Sequence, residues 1–194
     1  MRVTPLPAFE YRRMRWKNNL GWTREILRVP DDEDYDWRVS IAEIDHDCPF
    51  SPFPRHDRIL MLLSGKGMRL DFHDGRRVEL GLHERIAFRG EDALDCVLTD
   101  GPTRDFNLIW KRDRARAELL HRPLVGPMLF FPESGVQWLV HLLSGRARIK
   151  DRPELPMLDP GDSLWLDAVP GDTERLILDG GGELLLSRIA SVGG

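Results

Sequence analysis

Apolar and polar residues alternate with a period of two along much of the chain, the pattern of β-strands with one buried face. Residues 37–44 show it clearly. Residues 58–64 are instead almost continuously apolar, as expected of a strand buried on both faces. Further strands are predicted at residues 11–16, 23–29, 68–72, 76–80, 84–88, 94–98, 106–110, 136–143, 147–150, 163–166, 174–178 and 183–189.

Turn residues separate these strands. Residues 64–67 (Ser-Gly-Lys-Gly) and the pair Asp74-Gly75 are typical of hairpin turns, and we expect each to join two paired strands. The 17 Gly and 14 Pro are dispersed along the chain, which indicates many short elements. Residues 112–120 differ, because they are rich in Arg, Ala, Glu and Leu and therefore predict a short connecting helix.

The two halves of the chain resemble each other. Leu62-Leu63-Ser64-Gly65 recurs eighty residues later as Leu142-Leu143-Ser144-Gly145. Leu98-Thr99-Asp100-Gly101 has a shortened counterpart in Leu178-Asp179-Gly180, and both halves end in apolar strands. The matches predict a duplicated β-unit. The alternative is a single β-sandwich with a chance tetrapeptide match.

Charge and composition exclude several function classes. The 28 Lys and Arg against 32 Asp and Glu give a net charge of −4, which disfavours sequence-blind nucleic-acid binding. Apolar runs stay well short of the roughly 20 residues that span a bilayer, and residues 1–7 contain no signal-peptide core. The two cysteines, Cys48 and Cys96, suit a reducing cytoplasm, although a disulfide between them is the alternative. We therefore expect a cytoplasmic protein that binds neither nucleic acid nor membranes.

The chain contains few of the motifs that mark catalytic or metal sites. None of its six histidines forms a His-x-His pair, and there is no nucleophile elbow or phosphate-binding loop. Cys48 stands in His46-Asp47-Cys48-Pro49 and is interpreted as a small loop residue. We expect no metal, no cofactor and no catalytic residue.

A candidate binding site begins with Arg58, which opens the buried strand at residues 58–64. Its counterpart in the second half is Trp138. A buried guanidinium needs an anionic partner, and its fork matches a carboxylate. That partner is either Asp105 or the carboxylate of a small ligand. Asp105 and Asn107 lie two apart on a strand and therefore share one face, as Arg38 and Ser40 do.

These residues predict a polar pocket in the first half of the chain, with walls from aromatic residues such as Trp16, Phe50 and Phe53. Each polar residue taken alone is also compatible with an ordinary turn or strand-edge hydrogen bond. The predicted ligand-binding residues are Arg58, Asn18, Thr23, Ser40, Asp105, Asn107, Trp16 and Phe50.

Several motifs resemble those of known families. The turn Leu158-Asp159-Pro160-Gly161-Asp162 resembles the second motif of cupins. Residues 16–25 resemble the N-terminal motif of the HutD/Ves family, Trp-x-Asn-Gly-Gly-Gly-x-Thr-x-Glu, and residues 37–42, 48–54 and 105–108 agree with that family in order and spacing. Asn19 and Leu20 stand where the family has Gly-Gly. Asn19 tolerates a left-handed backbone and Leu20 does not easily, so either the loop or the ligand differs.

The resemblance implies an all-β bicupin of two jelly-roll barrels with a short connecting helix. Residues 1–112 would form the N-terminal strands and the first barrel, and residues 113–194 the connector and the second barrel. It also implies a non-catalytic regulator of histidine utilisation that senses a small carboxylate, such as formylglutamate, formate or a urocanate-like molecule, or else a cold- and stress-response protein of the Ves type.

Two other functions remain open at this stage. One is a metal-independent cupin isomerase or hydrolase in which Asp105, Glu25 or His46 acts as acid or base. The other is a protein-interaction module. The sequence also leaves a homodimer open.

Overall fold

The computed structural model describes residues 1–16, 19–169 and 171–193. These residues contain a short 3-10 helix (Ala8–Glu10) and no α-helix. The strands are β1 (Arg2–Leu6), β2 (Arg12–Arg15), β3 (Gly21–Val29), β4 (Trp37–Ile44), β5 (Cys48–Pro49), β6 (His56–Ser64), β7 (Met68–Phe72), β8 (Arg77–Leu80), β9 (Arg85–Arg89), β10 (Leu94–Leu98), β11 (Thr103–Lys111), β12 (Ala115–Val125), β13 (Met128–Phe130), β14 (Val136–Ile149), β15 (Ser163–Asp167) and β16 (Leu176–Ser191). Across the described ranges, no helix is long and apolar enough to cross a membrane.

The strands form two compact units, as expected of the predicted all-β bicupin. The first barrel comprises Arg12–Ala115, and the second comprises Met1–Tyr11 with the chain from Arg116 onward. The units therefore divide at Ala115, whereas the prediction divided them at residue 112. The prediction also assigned the N-terminal strand to the first barrel, but β1 pairs antiparallel with β15 in the second.

Side-chain contacts explain why residues 8–11 belong to the second barrel. The Ala8 amide donates to Asp162 Oδ1 (2.8 Å), and the Tyr11 hydroxyl donates to the Gly161 carbonyl (2.7 Å). The same hydroxyl lies 2.7 Å from Ser163 Oγ. The Pro-Gly turn noted in the sequence therefore anchors the N-terminal segment.

The predicted connecting helix at residues 112–120 is wrong, because most of this stretch belongs to β12. Ala115 and Leu119 are buried, whereas Arg116 and Glu118 are exposed. Apolar and charged residues thus alternate with a period of two, and burial of one strand face overrides the helix propensity of Ala, Glu and Leu.

The first barrel consists of two sheets that enclose an apolar core. One sheet has the order β2-β3-β4-β11-β6-β9, and the other has the order β5-β10-β7-β8. Between them lie the buried residues Ala42, Ile44, Cys48, Leu60, Leu62, Met68, Leu70, Phe72, Leu80, Phe88, Leu94 and Cys96. Cys48 and Cys96 are free thiols at directly paired positions of β5 and β10.

The two predicted hairpin turns of this barrel have different roles. Asp74-Gly75 joins β7 to β8, which pair with each other, as predicted. Residues 64–67 instead carry the chain from one sheet to the other, because β6 and β7 lie in different sheets. Gly65 has φ +107°, and a β-carbon there would lie 2.7 Å from Thr103 Cγ2, so this corner requires glycine.

The second barrel contains one sheet of order β1-β15-β14-β16-β12, with β13 also paired to β16. The sequence predicted breaks within β14 and β16, but both strands continue through these positions and pair on both sides of a register shift between Leu142 and Ser144. Gly145 has φ +87°, and a β-carbon there would lie 1.9 Å from the Gly181 carbonyl oxygen. Glycine thus lets the backbones of the two strands approach closely beside the register shift.

Candidate functional site

The first barrel contains an open cavity of about 560 Å³. Four neighbouring strands, β3, β4, β11 and β6, contribute one wall, and residues 49–53 contribute another. The lining residues are Met14, Arg15, Trp16, Thr23, Arg38, Ser40, Ala42, Pro49, Phe50, Ser51, Phe53, Arg58, Asp105, Asn107 and Ile109.

Strand register explains why the polar side chains converge. In the β4–β11 pair, Asn107 lies opposite Ser40 and Asp105 lies opposite Ala42. In the β6–β11 pair, Arg58 lies opposite Ile109. Directly paired residues on antiparallel strands point to the same face of the sheet, so all six side chains face the interior of the barrel.

The structure brings together seven of the eight residues predicted from the sequence. The eighth, Asn18, lies outside the described residues. The residues that line the cavity as predicted are Arg58, Thr23, Ser40, Asp105, Asn107, Trp16 and Phe50.

Other lining residues were absent from the prediction. Ala42 and Ile109 continue the period-two pattern of Ser40 and Asn107, so strand periodicity could have found them. Met14 and Arg15 lie on β2 and reach the cavity because β2 pairs with β3. No local sequence signal indicates that pairing.

The family motif departs at Asn19 and Leu20, and the structure shows how the loop accommodates both. Asn19 has φ +61°, the left-handed conformation that asparagine tolerates. Leu20 avoids positive φ and packs, half-buried, against the core of the first barrel.

A short hydrogen-bonded chain connects the charged groups. Arg58 Nη2 donates to Asn107 Oδ1 (2.7 Å), and Asn107 Nδ2 in turn donates to Asp105 Oδ1. The exposed fractions of these side chains are small: Arg58 6%, Asn107 5% and Asp105 0%. Two further buried atoms, Arg58 Nε and Asp105 Oδ2, have no hydrogen-bond partner within the described part of the chain.

Aromatic rings surround the Arg58 guanidinium. Its central carbon lies 5.2 Å from the ring centroids of both Phe50 and Phe53, and 4.9 Å from that of Phe88. The ring faces attract the cation and displace water, which strengthens any interaction that the guanidinium makes with an anion.

Burial shifts the pKa values of the two ionisable side chains of this hydrogen-bonded chain, Asp105 and Arg58. Desolvation raises the pKa of Asp105 to about 7, although the Arg58 charge and the Asn107 hydrogen bond oppose it. Desolvation also lowers the pKa of Arg58 to about 10, and Asp105 opposes that shift. At neutral pH Arg58 therefore stays charged, whereas Asp105 is partly protonated.

The remaining cations of the cavity have carboxylate partners. Arg38 Nε donates to Glu25 Oε2 (2.7 Å), and Arg28 lies 3.5 Å from the other oxygen of Glu25. Arg15 lies 3.4 Å from Asp45. Trp16 Nε1 donates to Thr23 Oγ1 (2.8 Å), which fixes the indole in the cavity wall.

The three candidate acid–base residues differ in position. Asp105 lines the cavity, whereas Glu25 and His46 do not, and Glu25 is held by Arg38. The lining residues that the structure describes include no histidine and no cysteine, and Asp105 is their one carboxylate. This set offers little to a transition metal, which prefers imidazole, thiolate or several carboxylates.

Comparison with known proteins identifies the family. The HutD family model matches residues 8–186. Protein Ves of Cronobacter sakazakii is 33% identical over 175 residues, which cover 90% of this chain and 91% of that protein. An uncharacterised 21.2 kDa protein of Pseudomonas putida, from the region 3′ of hutC, is 41% identical over 116 residues, covering 59% of this chain and 61% of that protein.

A solved structure shares both the fold and part of the sequence. HutD from Pseudomonas fluorescens SBW25, determined in a formate condition, is 30% identical with a TM-score of 0.84, and the match covers 99% of this chain and 100% of that one. The family model and the Ves relative each span nearly the whole chain. The chain therefore belongs to the HutD family.

Proposed function

We propose that this chain is a non-catalytic protein that binds a small carboxylate metabolite in the cavity of the first barrel and regulates histidine utilisation. One observation carries the proposal. Arg58 is buried at the cavity, surrounded by aromatic rings, and its Nε–H has no partner among the described residues. A buried donor without an acceptor costs about 1–3 kcal/mol, so a ligand carboxylate that accepts this hydrogen bond would gain affinity.

The cavity also suits the size and polarity of such a ligand. Its volume of about 560 Å³ lies within the roughly 300–1,000 Å³ of small-molecule sites. Ser40 and Thr23 add hydroxyl groups, and Phe50 and Phe53 add apolar surface. Formylglutamate, formate and urocanate-like acids all carry the required carboxylate.

The relatives support the pathway and the ligand class. The related HutD structure was determined in a formate condition, and the Pseudomonas putida relative is encoded 3′ of hutC. For this chain, a role in histidine utilisation is our proposal.

One observation favours a second candidate, a metal-independent enzyme. Burial holds the pKa of Asp105 at about 7, and a general acid or base works best with a pKa near the operating pH. If the protein is an enzyme, it converts a bound ligand to product, and Asp105→Asn abolishes that conversion. NMR of each ligand incubated with the protein distinguishes the two functions, and we expect no product.

Calorimetric titration of formylglutamate, formate and urocanate tests the binding function. We expect at least one of them to bind, and Arg58→Ala to weaken that binding by about 10- to 100-fold, because one charge-assisted hydrogen bond is lost. Arg77→Ala is the matched control, because Arg77 is an exposed arginine of the same barrel, paired with Asp71. Absence of binding by all three acids, or equal binding by Arg58→Ala, contradicts the proposal.

A genetic experiment tests the regulatory role. Host cells that carry Arg58→Ala should differ from wild type in histidine-degrading activity after histidine is supplied. An unchanged response would contradict the regulatory role and leave the binding function as proposed.

A further inference from the structure

Two buried atoms of the cavity wall lack a hydrogen-bond partner among the described residues, and they have opposite hydrogen-bonding character. Arg58 Nε–H is a donor, and Asp105 Oδ2, when ionised, is an acceptor. Both belong to buried side chains of the cavity wall, and Asn107 links them through its two amide atoms. A ligand carboxylate can accept a hydrogen bond from Arg58 Nε–H. An ionised carboxylate has no hydrogen, however, to donate to Asp105 Oδ2.

Repulsion between the ligand carboxylate and the Asp105 carboxylate adds a second obstacle to binding. A ligand carboxylate that binds beside Arg58 shares one guanidinium with the Asp105 carboxylate. Two carboxylates in one desolvated site cannot both stay ionised, and one of them takes up a proton. A protonated Asp105 has an O–H donor in place of an orphaned acceptor, so a single proton removes both the repulsion and the unsatisfied hydrogen bond.

We propose that a carboxylate ligand binds in this cavity together with one proton, which resides on Asp105 Oδ2 and is donated in a hydrogen bond to the ligand. The inference rests on the proposed function, since it concerns the same site. It identifies Asp105 as a residue that selects anionic ligands through its own protonation.

Two arginines and two cysteine thiols lie around Asp105 and keep their protonation states near pH 7. Asp105 is therefore the residue that we expect to titrate. Arg58 lies on β6 and stays charged across neutral pH. Arg38 lies on β4, and the carboxylate of Glu25 balances its charge. The Cys48 and Cys96 thiols approach from β5 and β10, and burial together with the Asp105 charge raises the pKa of both, that of Cys48 to about 11. Both thiols are therefore neutral near pH 7.

The direction of the pH dependence follows. The pKa of Asp105 in the free protein is about 7, so the proton is already present below pH 7 and must be taken from solution above it. Ligand affinity should be constant at low pH and fall about tenfold per pH unit above the pKa. Between pH 6 and pH 9 the dissociation constant for formate should rise about 100-fold, because formate itself stays ionised throughout.

Calorimetry with sodium formate tests the coupling. The full-length protein is titrated at pH 6, 7, 8 and 9, each in two buffers of different ionisation enthalpy, so that the protons taken up per formate are measured directly. Uptake should approach one proton at pH 9 and fall towards zero at pH 6.

Asp105→Asn is the matched variant, because its amide N–H donates to the ligand and does not titrate. It should bind formate with little change between pH 6 and pH 9 and without proton uptake. Asp105→Leu, which lacks the donor but keeps the barrel apolar, should bind weakly at every pH.

The outcomes separate the two proposals. Formate binding that is independent of pH, or an Asp105→Asn variant with the wild-type pH profile, overturns the proton coupling and leaves the binding function intact. Failure of formate, formylglutamate and urocanate to bind at any pH overturns both.

Discussion

Each barrel has a central pair of antiparallel strands, but the residues at corresponding positions of the two pairs differ in polarity. In the first barrel β11 pairs with β6, and Asp105 and Asn107 lie opposite Leu62 and Leu60. Arg58, two residues before Leu60, lies opposite Phe88 of β9.

In the second barrel β16 pairs with β14 in the same arrangement. Leu184 lies opposite Leu142, and Leu186 lies opposite Val140. Trp138, the counterpart of Arg58, lies opposite Leu166 of β15. Apolar residues thus occupy the positions that Asp105, Asn107 and Arg58 occupy in the first barrel.

This difference shows that the fold does not require the polar set. The second barrel closes around leucines, which gain stability from burial. Burying Arg58, Asn107 and Asp105 instead sacrifices stability, because desolvation of charged groups is only partly compensated by their contacts. The first barrel therefore has a polar cavity wall at the expense of stability, as the proposed binding function would require.

Introducing a charge into the second barrel should produce the largest effect. Leu184→Asp places a carboxylate where Asp105 stands in the first barrel, but with Trp138 in place of Arg58. We expect the free energy of unfolding to fall by about 3–5 kcal/mol, because the carboxylate is buried among leucines and Arg188, the cation on this face of β16, is already paired with Glu133. Urea denaturation measures the change, and Leu184→Met is the volume-matched control. A loss below about 1 kcal/mol would contradict the comparison.

The reverse exchange should stabilise the first barrel. Arg58→Met, Asp105→Leu and Asn107→Leu, combined in one variant, remove the three polar partners together and leave none unpaired. We expect a gain of about 1–4 kcal/mol in the free energy of unfolding, with complete loss of carboxylate binding. A destabilised triple variant would show that these side chains have a structural role that the second barrel does not reveal.

The pH dependence of stability should show the smallest effect at each step, because the change is spread over the whole range from pH 4 to pH 7. Because the pKa of Asp105 is raised to about 7 in the folded protein, the folded state holds more protons than the unfolded chain between about pH 4 and pH 7. Asp105 therefore contributes most stability below pH 4, and this contribution is lost as pH rises, by at most about 1.4 kcal/mol per pH unit, before levelling off above pH 7.

Comparison with Asp105→Asn isolates that contribution. The difference in unfolding free energy between wild type and Asp105→Asn should change across pH 4–7 and be flat from pH 7.5 to pH 9. A difference that is constant across the whole range would mean that Asp105 keeps an ordinary pKa.

Much of the fold and the site could be predicted from local sequence. Period-two alternation identified β4, and it placed Asp105 and Asn107 on one face. The repeat indicated two units, because a duplicated chain keeps its apolar strand and Ser-Gly segment. These signals depend on which neighbours a residue has along the chain, and strand geometry then fixes the side-chain direction.

Other features depend on distant contacts and left no local signal. β1 belongs to the second barrel because it pairs with β15, which is far away in sequence. Residues 112–120 have helix-forming composition, but strand pairing determines their structure. The buried atoms of Arg58 and Asp105 that find no partner among the described residues could be recognised only from the three-dimensional arrangement of the strands around them.

The close approach of the paired strands at Gly145 limits how the second barrel can change. Because β14 and β16 stay paired across the Ser144-Gly145 site, inserting a residue in one strand shifts its register against the other and moves buried side chains to the opposite face. At Gly65 the chain instead passes between sheets through a short connection, so changes of length there disturb fewer pairings. Insertions and deletions among relatives should therefore accumulate at this corner of the first barrel rather than at Gly145 of the second.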